Sequence, residues 1–138
     1  MNYNLQKPCP CQSQQTFADC CSPLLAAHHS AKNAISILRS RYTAYCLKNV
    51  KHLTNTLAKQ ARENFNASEV SSWVNKTKFI KLSIIKQKQG LETDTKGWIE
   101  FKALVIHNHQ LSTIKEISCF EKIDDTWYYT GEVSSWNE

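Results

Sequence analysis

Four cysteines fall between residues 9 and 21, as Cys9-Pro10-Cys11 and then, after eight intervening residues, the adjacent pair Cys20-Cys21. No other feature constrains the chain so tightly. The stretch around them is Cys, Pro, Ser and Gln with almost no periodicity, too poor in apolar residues to fold around a core of its own. Something other than burial must hold it. Zinc takes four soft ligands in a tetrahedron, and short C-x-C knuckles supply them. Pro10 fixes a backbone dihedral and removes a donor inside the first pair, which suits a tight knuckle. The pattern points to a structural zinc site on Cys9, Cys11, Cys20 and Cys21, with His28 or His29 as an alternative fourth ligand. Such a site is closed, and a closed site is not catalytic. Free thiols or an oxidised pair form the competing reading.

The compartment follows from what the start of the chain lacks. Met1 to Pro8 is polar, without the apolar run of a signal peptide, and no stretch approaches the ~18–20 apolar residues of a membrane span. A cytoplasmic, reducing setting is expected, in which six cysteines serve metal binding or burial rather than disulfides. The net charge of +5 is spread along the chain. Its densest basic stretch, residues 76–88, alternates with apolar residues and reads as the solvated face of a sheet. A nucleic-acid partner is not expected.

Periodicity divides the rest. Ile35, Leu38, Tyr42 and Tyr45 share one face of a helix that Ser30 would cap and that ends near Lys48-Asn49. A second helix runs through Val50, Leu53 and Leu57, and a third spans residues 67–75 with Val70, Trp73 and Val74 as its stripe. After Thr77 the period drops to two. Ile80, Leu82 and Ile84, alternating with Lys81, Ser83 and Ile85, predict one strand, and Ile99, Phe101, Ala103 and Val105 predict a second, across a polar loop at 90–97. Residues 111–123 give a third strand and Trp127-Tyr128-Tyr129 opens a fourth, with turns at 107–110 and at Asp124-Asp125. Three helices followed by about four strands on short loops is an α+β pattern with a curved antiparallel sheet. The expected division is 1–28 for the zinc-binding segment and 29–138 for the α+β domain, which should fold without that segment.

A resemblance supports and extends this. Cys9-Pro10-Cys11-Gln12-Ser13, then Phe17-Ala18-Asp19-Cys20-Cys21, resembles the SEC-C motif first known at the C-terminus of the SecA translocation ATPase. The helix 38–45, Leu-Arg-Ser-Arg-Tyr-Thr-Ala-Tyr, together with Glu100-Phe101, Glu116-x-Ser118-x-Phe120 and Trp127-Tyr128-Tyr129, resembles the YchJ family of bacterial proteins of unassigned function. The resemblance covers essentially the whole chain. It implies a nuclear-transport-factor-2-like (NTF2-like) cone, in which a curved sheet wraps helices and can leave a pocket. Three positions depart from the family pattern. Gln12-Ser13-Gln14 replaces Gly-Ser-Gly, so a turn needing positive φ would be strained or rebuilt. Ile117 and Cys119 stand where the strand motif has arginines, which removes the basis for anion handling by that strand. Many relatives carry a second SEC-C segment after the Trp-Tyr-Tyr strand, whereas this chain stops at Glu138.

Two function classes follow. The leading one is a non-enzymatic adaptor, with the zinc knuckle presenting Lys7 and its neighbours to a protein partner; by analogy with SecA that partner belongs to the translation or export machinery. The alternative is a small-molecule-binding or catalytic cone lined by Glu116, Ser118, Tyr129 and either Arg39 or Arg41. The two arginines lie about 200° apart around a helix and cannot serve one pocket together. Glu116 and Ser118 share a strand face with Ile114 and Phe120, so a carboxylate stands on an otherwise apolar face, either lining a pocket or pairing an arginine. His107 and His109 read as surface turn residues, Cys46 and Cys119 as small buried apolar groups, and Trp98 and Trp136 as partly exposed.

Overall fold

The computed structural model describes residues 3–136. A six-residue helix α1 (Cys21–Ala26) and a 3₁₀ turn (His28–Ser30) precede the main helices. Those are opened by asparagine. Asn33, Asn49 and Asn66 each accept a hydrogen bond from the backbone N–H three residues on, at 3.1, 3.0 and 3.0 Å. They start α2 (Ala34–Leu47), α3 (Val50–Asn55) and α4 (Ala67–Asn75). The expected cap at Ser30 is thus corrected: Asn33 serves, and its side chain also takes the Ser36 hydroxyl at 2.6 Å. The second helix stops short of Leu57. Thr56 caps it, and Leu57, 5 % exposed, forms an isolated bridge to Tyr129 instead.

Four strands follow in an antiparallel meander, β1 (Thr77–Gln89), β2 (Lys96–His107), β3 (Gln110–Ile123) and β4 (Thr126–Val133). The last two hairpins close on two-residue loops, Asn108-His109 (φ 50 and 68) and Asp124-Asp125 (φ 50 and 67). Positive φ at both central positions is what a type I′ turn requires, and it matches the twist of the flanking strands. Register shifts at Phe79/Lys81, Ile84/Lys86 and Cys119/Phe120 put bulges into β1 and the β3–β4 pair, and bulges bend a sheet. The architecture is α+β, a curved sheet closing over α2.

The inner sheet face alternates as expected along β2, where Ile99, Ala103 and Val105 are 0 %, 2 % and 1 % exposed. Ile37, Leu38, Ile99, Phe120 and Trp127 form one apolar cluster between α2 and the sheet. The other unites Cys9, Cys11, Phe17 and Cys21 with Tyr42, Leu82, Ala103 and Val105. The cysteine segment therefore packs on the body of the fold. The start of α2 is docked on the β1–β2 hairpin, with Ala34 N–H donating to Gly90 O at 2.9 Å. That approach needs glycine: at φ +80, a Cβ on Gly90 would lie 2.8 Å from the Ala34 Cβ.

Candidate metal centre and cavity

The knuckle is built by a miniature hairpin. Phe17 N–H donates to Lys7 O and Cys9 N–H to Gln15 O, both at 2.9 Å, around an antiparallel bridge between Pro8 and Thr16. Gln12 N–H closes back on Cys9 O at 3.0 Å, while Cys20 precedes α1 and Cys21 is its first residue. The result brings the four Sγ atoms within 4.8 Å of one another, Cys11 and Cys20 at 3.6 Å and Cys20 and Cys21 at 3.9 Å. A tetrahedron with metal–sulfur bonds of roughly 2.3 Å has edges of about 3.8 Å, so the donor set fits a metal ion of that kind. All six cysteines are free of disulfides.

The thiols' surroundings match. Hydrogen bonds from Cys21 and Cys9 hold the Cys11 thiol far below its ordinary range. The hydrogen bond with Cys11 correspondingly pushes Cys21 up, and burial raises Cys20 to about 11. Without a cation, such a cluster keeps protons on some sulfurs because neighbouring thiolates repel; a bound divalent ion replaces those protons. Around the sulfurs stand the Thr43 hydroxyl, 3.7 Å from Cys9, and the Ser13 hydroxyl, 3.1 Å from Cys20. Neither histidine alternative joins the cluster. His28 instead packs on the rings of His52 and Tyr128, at 6.4 and 5.6 Å.

Two side chains clamp the knuckle to the domain. Arg39 donates to Cys11 O at 2.9 Å. Gln12 aligns its side-chain amide with the outer edge of β1, donating to Ile80 O at 2.9 Å and accepting from Leu82 N at 3.1 Å. Both Gln12 and Gln14 hold positive φ, 65 and 75, as their place in a glycine-patterned turn predicts.

On the other side of Tyr42, Leu82 and Ala103 lies a cavity of about 460 Å³. It gathers Arg41 from α2, Glu116 and Ser118 from β3, and Tyr129 from β4. Arg39 is not among its walls. The two arginines diverge as helical geometry predicts, but Arg39 reaches the knuckle rather than solvent. Arg41, 8 % exposed, gives Nη1 to Leu53 O and Thr56 Oγ1, both at 2.8 Å, and lays its guanidinium 4.5 Å from the Tyr129 ring centre. Glu116 Oε2 accepts from Ser118 Oγ at 2.5 Å and from the Tyr129 hydroxyl at 2.8 Å. Burial and then the Glu116 charge push the Tyr129 phenol above its ordinary range, and Glu116 likewise raises Glu132.

Of the aromatic walls, Tyr42, Tyr45, Trp73, Phe79 and Phe101, all but Phe79 lie on faces that periodicity picks out. Tyr42 and Tyr45 fall on the periodic face of α2. Phe79 does not fit the alternation that Ile80, Leu82 and Ile84 suggest, because the Phe79/Lys81 bulge lets residues three apart face the same way. Glu69 at the rim carried no signal in sequence. Elsewhere, His107 stacks on Trp73 at 5.4 Å and bonds Thr77 Oγ1 at 2.7 Å, while His109 lies in the adjacent turn. Cys46 and Cys119 are half-buried; burial pushes the Cys46 thiol up to about 12. Trp98 and Trp136 are half-buried too, the latter donating to Glu100 at 3.0 Å.

Residues 33–131 match the family described as the YchJ middle NTF2-like domain, and residues 7–23 match the SEC-C motif. A UPF0225 protein of Geobacter sulfurreducens is 32% identical over 122 residues, covering 88% of this chain and 76% of its own length. A UPF0225 protein of Haemophilus influenzae strain PittGG is 33% identical over 131 residues, covering 95% and 81%. Among solved structures, a SEC-C motif containing protein from Rhodopseudomonas palustris superposes with a TM-score of 0.80 at 28% identity, over 90% of this chain and 95% of the other. A second, from Psychrobacter arcticus, gives 0.79 at 20% identity over 97% and 86%, a likeness of fold. No helix among the described residues is long and apolar enough to cross a membrane.

Proposed function

The chain belongs to the YchJ family, and from that membership we propose a zinc-stapled binding protein whose ligand site is the cavity between α2, α4 and the sheet. The observation that carries this reading is the convergence of Arg41, Glu116, Ser118 and Tyr129, from three elements, on one space of about 460 Å³. That volume falls in the range of small-molecule sites, with apolar walls and few polar groups. Binding rather than turnover suits a Ser118 that is 1 % exposed and an Arg41 already committed to backbone and Thr56. A neutral fluorescent probe, N-phenyl-1-naphthylamine, should bind the purified protein, and filling the space with Ile114→Trp should abolish that binding. Unchanged binding in the variant would overturn the reading.

Cys9, Cys11, Cys20 and Cys21 would hold the zinc, and its part is structural: four thiolates leave no open position for a substrate. Thiolate ligation favours zinc over hard cations, which prefer oxygen. Elemental analysis of protein purified without chelator should give one equivalent of zinc, lost in Cys9→Ser and in Cys21→Ser. Protein kept reduced throughout that carries no metal would refute the staple.

A second reading, a protein partner on the outer face of the knuckle, is favoured by Leu5, 49 % exposed beside the exposed Lys7. Capture of a partner by the zinc-loaded protein but not by Leu5→Asp would support it. Equal capture by both would count against it.

A further inference from the structure

We propose that the cavity takes an organic cation, a protonated primary amine on an aromatic or aliphatic body, with its ammonium group on Glu116. This rests on the cavity reading above and adds the ligand's chemistry, which follows from counting protons at the polar end. A hydroxyl has one proton to give. Ser118 and Tyr129 both give theirs to Glu116 Oε2, at 2.5 and 2.8 Å. Toward a ligand, then, these two oxygens offer only lone pairs, and so does Glu116 Oε1. Three acceptors grouped in this way call for a head that donates several hydrogen bonds and accepts none. An ammonium, with three N–H donors, meets that description; a carboxylate or phosphate does not.

Charge and walls agree. Arg41 brings a positive charge, but two of its five N–H donors, both on Nη1, go to Leu53 O and Thr56 Oγ1 and its face lies against the Tyr129 ring, which fixes it in place beside the acceptors. Against it stand two lining carboxylates, Glu116 within and the exposed Glu69 at the rim on α4, leaving the described lining one charge negative. Tyr45, Trp73 and Phe79, which also line the cavity, are in mutual ring contact, with centroids 5.2 to 6.2 Å apart. Aromatic faces attract cations and supply apolar contact to the body that carries one.

The test uses the zinc-loaded full chain and a matched set of probes, 3-phenylpropylamine, 3-phenylpropan-1-ol and 3-phenylpropionate, each displacing N-phenyl-1-naphthylamine. The amine should compete at least tenfold better than the alcohol, with the carboxylate weakest. Glu116→Gln keeps an acceptor for both hydroxyls and should cost the amine about tenfold and the alcohol no more than two- to threefold, because only the amine loses a charge partner. Glu69→Gln, at an exposed position where folding is not at stake, should cost the amine two- to threefold, and less at high salt. A naphthylamine that binds but is displaced equally by all three probes, or best by the carboxylate, would overturn the cationic ligand and leave the cavity reading standing. Failure of the naphthylamine itself to bind would remove both.

Discussion

A single glutamine does two opposed things in the knuckle. Gln12 holds φ 65, a conformation that disfavours a side chain by about 1–2 kcal/mol, yet its amide supplies β1 with the pair of hydrogen bonds an absent neighbouring strand would give. Each such bond is worth about 1 kcal/mol net. Gln12→Ala keeps the strain and loses the bonds, so it should destabilise by roughly 2 kcal/mol in urea unfolding. Gln12→Gly relieves the strain as well and should fall between Ala and wild type. Gln14, at φ 75, offers the control: Gln14→Gly should be neutral or stabilising by about 0.5 kcal/mol. If Gln12→Ala proves as stable as wild type, the amide contributes nothing to the edge.

Between elements, α2 and α3 are joined through buried polar groups. His52, 4 % exposed, bonds the Ser40 hydroxyl at 2.9 Å, and Ser40 in turn donates to Ile37 O at 3.1 Å. Burial, then Arg41 and His28, lowers the His52 pKa from 6.5 to about 4. The folded state thus binds the proton more weakly than the unfolded state does. Stability from this group is fully present above pH 6.5 and is lost as pH falls toward 4, by no more than about 3 kcal/mol. His52→Gln can keep the bond to Ser40 and should show a flatter urea midpoint across that window. Protonation of the cysteine cluster, and the release of a metal it would hold, is common to both proteins, so the difference between them isolates the histidine; parallel curves would assign the pH dependence elsewhere. Sequence made much of this layer legible, because α2, α4 and the alternation of β2 and β3 are long enough for periodicity to show. It missed α1, which has only six residues, and misplaced the cap of α2, because Ser30 and Asn33 are equally good caps and only packing chooses. The Phe79/Lys81 bulge was invisible, since it changes parity without changing composition. Of the site, the clustering of the four cysteines was legible from spacing alone, whereas the aromatic walls and Glu69 depend on which elements face one another. The hairpin that receives α2 gives a sharper check. Gly90→Ala meets both a positive φ and the Ala34 Cβ at 2.8 Å, and should cost at least about 2 kcal/mol in thermal or urea unfolding.

For the whole molecule, the question is whether the cysteine segment is an accessory or a wall. Sequence reasoning expects residues 29–138 to fold alone, because residues 1–28 have no core of their own. The packing argues otherwise. Cys9, Cys11, Phe17 and Cys21 are 2 %, 0 %, 6 % and 0 % exposed and share one cluster with Tyr42, Leu82, Ala103 and Val105. Removing the segment would uncover that face of β1 and β2 and leave Arg39 without Cys11 O. Three of the same residues, Tyr42, Leu82 and Ala103, also line the cavity, so the cysteine cluster and the cavity share one partition. Two results follow together. The 29–138 fragment should lack the cooperative unfolding transition of the full chain, and chelation of the full chain should lower its urea midpoint and abolish naphthylamine binding in parallel, with re-addition of zinc restoring both. A fragment that unfolds cooperatively and still binds the probe would make the segment an appendage after all. Loss of binding with an unchanged unfolding midpoint would mean that the metal shapes the partition locally without holding the fold.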